Sequence, residues 1–241
     1  MIVGKDYVFV HIPRTSGSSL ELALVSRDYG KEFNFIHYAF SDEPCRLPPT
    51  INKFVFTLVR NPFEKEFSHW LYHTEKPEFK KPISFKQWVL WRYGDYELES
   101  KYLCKTRFEY GYLNTFDVNP MLGYIIDRDL NLRVTYIGNF ENREHDTKYI
   151  FNTIKLNQDW EEYPLEEGNR TKIPTKSWPE YYDLETKEII ENAFSTDLKA
   201  FGYSFDQRES FTPNSVNLDL IKDYSFLGDI SPLGYNRKGR K

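Results

Sequence analysis

Cysteine is nearly absent: Cys45 and Cys104 are the only two in 241 residues, and they form no CxxC pair. A disulfide framework therefore has no support, and no histidine stands at metal spacing from either thiol. No run of about 18 apolar residues occurs, which leaves no candidate for a helix crossing a membrane. The first residues, MIVGKDYVFVHIPRT, carry an apolar stretch that is short and broken by Lys5 and Asp6, unlike a secretory signal. These absences together predict a cytoplasmic protein with no membrane partner, whose Asn169-Arg170-Thr171 sequon meets no glycosylation enzyme. A basic excess is missing too. The net charge of −4 argues against nucleic acid as the main partner, although an average of this kind can hide a local basic pocket. The Walker A pattern GxxxxGK[ST] is absent. His69 and His73 stand at helical spacing, but HWLYH lacks the glutamate of HExxH and an evident third ligand, so no metal is expected.

What is present is enough to fold: 40% of the chain is apolar and 17% aromatic, which supports a buried core. The length fits one large α/β domain or two small ones. Tyr7 to Ile12 (YVFVHI) reads as a buried strand running into a Pro-Arg-Thr-Ser-Gly turn, with a helical pattern from Leu20 to about Ser26. The same grammar returns at Lys53 to Val59 (KFVFTLV), followed by Arg60-Asn61-Pro62 and a helix through His73. Ser84 is placed to cap a short helix with Phe85, Trp88 and Val89 on its apolar face. A third strand is predicted at Arg133 to Ile137, a helix around Glu144 to Lys155, and a last helix from Leu184 to about Phe201 behind Asp183. Alternating strands and helices predict an α/β fold: a three-layer parallel sheet flanked by helices, with both strand-to-helix turns at one sheet edge, where such sheets bind ligands. Residues 1–206 form the expected domain. Residues 207–241 lose periodicity and read as a C-terminal extension whose basic end is a solvated terminus.

The first turn is rich in backbone donors and small hydroxyls: Thr15, Ser16, Gly17, Ser18 and Ser19. At a helix N-terminus, unpaired N–H groups and the dipole favour an anion, Arg14 adds a full charge, and Gly17 lets the backbone approach closely. The alternative is an ordinary serine-rich turn. In the second turn Arg60 ends a strand, and Ser68 lies eight residues on, about two helical turns later, where the two can share a face. A guanidinium and a hydroxyl converging on one phosphate is a strong arrangement; the competing reading pairs Arg60 with a carboxylate such as Glu64.

Together these turns resemble a known family. HIPRTSGSSL (His11 to Leu20) is similar to the 5′-phosphosulfate loop of sulfotransferases that use 3′-phosphoadenosine 5′-phosphosulfate (PAPS), whose carbohydrate branch commonly reads HIPKTGGTSL. FTLVRNPFEKEFSHW (Phe56 to Trp70) is similar to that family's 3′-phosphate motif, an Arg-x-Pro turn with a serine eight residues after the arginine. YIGNFEN (Tyr136 to Asn142) and YYDLETKEIIENAFSTDLKAFGYSF (Tyr181 to Phe205) are similar to later segments of these enzymes, so the resemblance spans about residues 6 to 205.

The resemblance implies a P-loop, nucleotide-kinase-like sulfotransferase fold and transfer of a sulfuryl group from PAPS to an acceptor hydroxyl, of a carbohydrate or a small metabolite first. Arg14, Thr15, Ser16, Gly17, Ser18 and Ser19 would hold the 5′-phosphosulfate, Arg60 and Ser68 the 3′-phosphate. Arg170 and Lys172, with Lys176, would lie in a basic loop closing over the nucleotide. Arg14 stands where the family usually has a catalytic lysine; it can stabilise the leaving oxygen but is a poor proton donor. Ser16 replaces the first glycine of the loop's pair. His37 lies between the motifs, where carbohydrate sulfotransferases often place an active-site histidine, and an imidazole suits proton removal at neutral pH. Asp42, Glu43 and Glu141 are alternative bases. His11 is expected to be structural, and the aromatic stretch from Trp88 to Tyr112 to be core in preference to a sugar platform. Two rivals remain: a P-loop-type small-molecule kinase, which would want a Walker lysine and a carboxylate for magnesium, and a catalytically degenerate nucleotide-binding interaction module. The sequence says nothing of the oligomeric state.

Overall fold

The structure is a computed structural model that describes residues 1–25, 30–32, 52–74, 82–94, 120–127, 129–155, 176–206 and 216–218. Its strands are β1 (Ile2–Gly4), β2 (Tyr7–Phe9), β3 (Gly30–Glu32), β4 (Phe54–Val59) and β5 (Tyr136–Asn139). Its helices are α1 (Gly17–Val25), α2 (Pro62–Thr74), α3 (Phe85–Tyr93), α4 (Leu122–Ile125), α5 (Arg143–Thr153), α6 (Leu184–Ala193) and α7 (Ser195–Phe201). Short 3₁₀ turns cover Phe140–Asn142 and Trp178–Tyr181.

The strands form one sheet in the order β3-β1-β2-β4-β5. The three strands read from the sequence are its parallel part, the third lying later than expected, at Tyr136–Asn139 instead of Arg133 to Ile137: Phe9 stands opposite Phe56 across β2 and β4, and Phe56 opposite Tyr136 across β4 and β5. The sheet as a whole is mixed, which corrects the expected all-parallel sheet. β1 runs antiparallel to β2, and β3 antiparallel to β1. Ile-Val-Gly and Gly-Lys-Glu are too short to show a strand period in the sequence, and only pairing makes them strands.

Alternation along the parallel strands feeds two cores. Val8, Val10, Val55, Val59 and Ile137 join α4 and α7 on one face, while Tyr7, Phe9, Phe56, Leu58 and Tyr136 join α1 and α5 on the other. The three layers, helices on sheet on helices, follow from this period of two. A third cluster binds α2, α3 and α6 through Phe63, Phe67, Trp88 and Phe194. The Ser84 cap forms as expected, as a capping box with Gln87. The expected single helix from Leu184 to Phe201 is instead two, because Phe194, wholly buried in that third cluster, breaks the run between α6 and α7. Beyond Asp206, Val216 and Leu218 pack against the first core and the Asn217 N–H donates to the Ala200 carbonyl at 2.8 Å.

Candidate anion-binding site

Because β2, β4 and β5 are parallel, their carboxyl ends share one edge of the sheet, and each opens into a turn carrying an arginine: Arg14, Arg60 and Arg143. The loop after β2 is bent by its backbone. Arg14 has φ 64° and Ser16 φ 74°, while Thr15 between them is not left-handed. A left-handed L-residue costs roughly 1–2 kcal/mol, so two of them in three positions mark a loop held in shape by its surroundings. Alternating hand turns successive backbone N–H groups toward a common side, the geometry of an anion-binding nest. The chain passes from this loop into the first turn of α1, where Gly17, Ser18 and Ser19 bring N–H groups that the helix itself does not use.

The expected donors of this loop divide. Ser16, read as standing in for a glycine, takes a left-handed backbone at φ 74°. Thr15 is buried and its hydroxyl donates to the Ile12 carbonyl at 2.9 Å, closing the turn from inside. Gly17 has a reason the sequence did not show: a Cβ there would run into the ring of His11. His11 is buried, stacks on Phe9 and lies 2.7 Å from Glu21 Oε1 through Nδ1, which fits its expected structural role.

Arg14 reaches across to α2. Its Nη2 donates to Ser68 Oγ at 2.8 Å and to the Ser68 carbonyl at 3.1 Å, and its guanidinium lies over the Tyr72 ring at 4.4 Å. Arg60 is only 9% exposed. Its Nη1 donates to the Arg14 carbonyl at 3.1 Å, its Nη2 to Glu64 Oε1 at 2.8 Å, and its guanidinium lies 3.7 Å over the ring of Phe140. The Glu64 contact expected of a purely structural arginine is therefore present, alongside the contact that ties Arg60 to the loop. Its buried Nε has no acceptor among the described residues. Ser68 meets Arg14 in place of Arg60, so the two sequence motifs are joined crosswise, Arg14 reaching Ser68 and Arg60 reaching the Arg14 carbonyl.

Arg143, which neither motif contains, opens α5. Its Nη1 donates to Ser16 Oγ at 3.2 Å, and it faces the same Phe140 ring that carries Arg60, at 5.6 Å. No local pattern marks it; its position follows from β5 pairing beside β4. Glu141, named as an alternative base, is instead committed to the frame. Its Oε1 accepts from the Asn61 N–H at 2.7 Å and its Oε2 from the Tyr203 hydroxyl at 3.0 Å. Burial raises its pKa, and these donors with nearby Arg60 only partly oppose the rise. Asn61 completes the joint: its side chain accepts from the Phe63 N–H, capping α2, and donates to the Ser204 carbonyl.

His69 and His73 belong elsewhere. Both are buried against Trp88 in the packing of α2 on α3, and His69 lies 3.5 Å from Glu66. Trp88 is itself wholly buried, so the described start of the aromatic stretch is core. His37, Asp42, Glu43, Arg170 and Lys172 lie outside the described residues; Lys176 is described and exposed. No helix among the described residues is long and apolar enough to cross a membrane. Comparison with family models, with curated proteins and with solved structures finds no match for this chain.

Proposed function

We propose that this chain is a PAPS-dependent sulfotransferase of the P-loop, nucleotide-kinase-like type, acting on a hydroxyl of a carbohydrate or small metabolite. The observation that carries the reading is the crosswise joint of the two motif turns, in which Arg14 of the first holds Ser68 of the second while Arg60 of the second holds the backbone of the first. The two turns that a bisphosphorylated nucleotide would bridge stand side by side, and the first has the backbone of an anion nest.

In this reading the Arg14–Ser19 loop takes the 5′-phosphosulfate, and Arg60 with Ser68 the 3′-phosphate. The acceptor oxygen forms a bond to sulfur as the bond from sulfur to the 5′-phosphate oxygen breaks in line. The electron pair leaves on that oxygen, giving 3′,5′-bisphosphoadenosine, and the acceptor proton goes to a base. Arg14 stabilises the charge growing on the departing oxygen, an electrostatic role that needs no proton transfer from it. His37 is the base favoured by the resemblance. Glu141, with both oxygens already accepting hydrogen bonds, is poorly placed to serve.

The experiment is transfer of ³⁵S from labelled PAPS to pooled acceptors, with magnesium and with EDTA, beside thermal shifts with 3′,5′-bisphosphoadenosine and 5′-AMP. Metal-independent transfer and a larger shift with the bisphosphate are expected. Phosphate transfer from ATP that needs magnesium would make the chain a kinase. Bisphosphate binding without any transfer would make it an interaction module.

A further inference from the structure

We infer that Arg143 is a third binding arm of the anion site, contacting the same anionic group that the Arg14–Ser19 loop cradles; this rests on the anion site within the reading above. Three parallel strands end at one edge and each is followed by an arginine, yet only two of the three turns are marked by the sequence motifs. Arg143 reaches the loop at its second left-handed residue, Ser16, immediately before the N-terminus of α1. It shares the Phe140 ring with Arg60, so one aromatic side chain orients two guanidiniums toward the same turn.

Like charges gathered at the positive end of a helix repel one another unless an anion joins them. Of the carboxylates at hand, Glu64 already pairs with Arg60, and the other two are engaged with other donors. Glu141 accepts from Asn61 and Tyr203, and buried Asp146 accepts from the Tyr136 hydroxyl, the Asn139 N–H and the Asn142 amide. The contact Arg143 does make is with a neutral hydroxyl, and a guanidinium has five N–H donors, so one bond at 3.2 Å leaves it able to bind a phosphate in a bidentate way. A multiply charged group is the ligand this arrangement selects, because each added charge meets a further guanidinium.

The test is titration calorimetry of the whole chain with inorganic pyrophosphate, 3′,5′-bisphosphoadenosine and 5′-AMP, for the wild type, Arg143→Ala and Arg143→Lys. Arg143→Ala should weaken binding of pyrophosphate and of both nucleotides, which bring the same 5′-phosphate to the loop, by about 10- to 150-fold, the range for a charged hydrogen bond. Arg143→Lys should recover part of the loss, and melting without ligand should stay close to wild type. Unchanged affinity in Arg143→Ala would overturn the assignment. So would an equal loss in Arg143→Ala and Arg143→Lys together with a lower melting temperature, which would make Arg143 a prop for Ser16. A wild type that binds none of the probes removes the anion site and this arm with it. Pyrophosphate binding that depends on Arg143 without sulfate transfer leaves the arm standing and the sulfotransferase reading alone refuted.

Discussion

Arg60 shows how much one side chain is asked to do. It holds the loop through the Arg14 carbonyl, rests on Phe140, and gives its second amino group to Glu64, which a phosphate must displace or share. The Glu64 side chain is 24% exposed, so the pair is partly screened and its net worth is about 1 kcal/mol or less. Glu64→Gln keeps an acceptor at the same place and removes the charge that repels an incoming anion. It should tighten 3′,5′-bisphosphoadenosine binding by up to about fivefold in calorimetry at low salt, with the gain shrinking as salt is added. Weaker binding would mean that Arg60 needs the glutamate to hold its pose. Ser16 teaches the opposite lesson about residue identity. A serine stands there in a left-handed backbone at φ 74°, a conformation that costs an L-residue free energy and so has to be held by the rest of the loop.

At the scale of elements, the joints between helices are made by buried charge. Asp197 of α7 is wholly buried and accepts from the Met121 and Leu122 N–H groups at 2.7 and 3.0 Å, capping α4 from a distant part of the chain. Burial pushes its carboxyl up to about 6, against the pull of those two donors and of Lys65. The folded state therefore holds this proton more tightly than the unfolded chain, so stability from this group rises as pH falls from 7 toward 4. The span of about two pH units corresponds to about 3 kcal/mol. Glu66 acts in the other direction. Burial alone would raise its pKa, but His69, Arg92 and Lys65 bring it to about 2, and its contribution is lost as pH falls below about 4.5. Asp197→Asn removes the first titration only. Wild-type protein should gain stability relative to this variant between pH 7 and pH 5, read from urea midpoints at the two values. Parallel pH profiles for the two proteins would show that Asp197 is already neutral, or charged at no cost, at pH 7.

Across the whole molecule, Glu141 is the point where separate parts of the chain are fastened at the site. It lies after β5, accepts from the start of α2 through Asn61, and accepts from Tyr203 just beyond α7. Glu141→Ala leaves two donors without their partner, at about 1–3 kcal/mol for each group that stays dry. For a chain of this size the melting temperature should fall by roughly 5–10 °C, measured by circular dichroism. If the chain transfers sulfate, the acidic limb of its pH–rate profile should survive in this variant and disappear in His37→Ala. The reverse result, a lost limb with melting unchanged, would make Glu141 the base.

The sequence by itself determined the three parallel strands, the helix following each, and the two motif turns. Each of these announces itself locally, through a run of β-branched and aromatic residues, a proline in a first helical turn, or a cluster of small hydroxyls beside an arginine. It determined too that both turns lie at one edge, since parallel strands joined through helices allow no other arrangement. Strands β1 and β3, and the mixed sheet they create, came only from tertiary pairing, because three residues carry no period. So did the break at Phe194, where packing against α2 and α3 outweighed a helical pattern. The site divided in the same way. Arg14, Arg60 and Ser68 are visible as residue types at fixed spacing, but their crosswise bonding is not. Arg143 is bound to the loop across 127 positions of sequence. Such a contact has no local signature, and the folding of β5 beside β4 is what creates it.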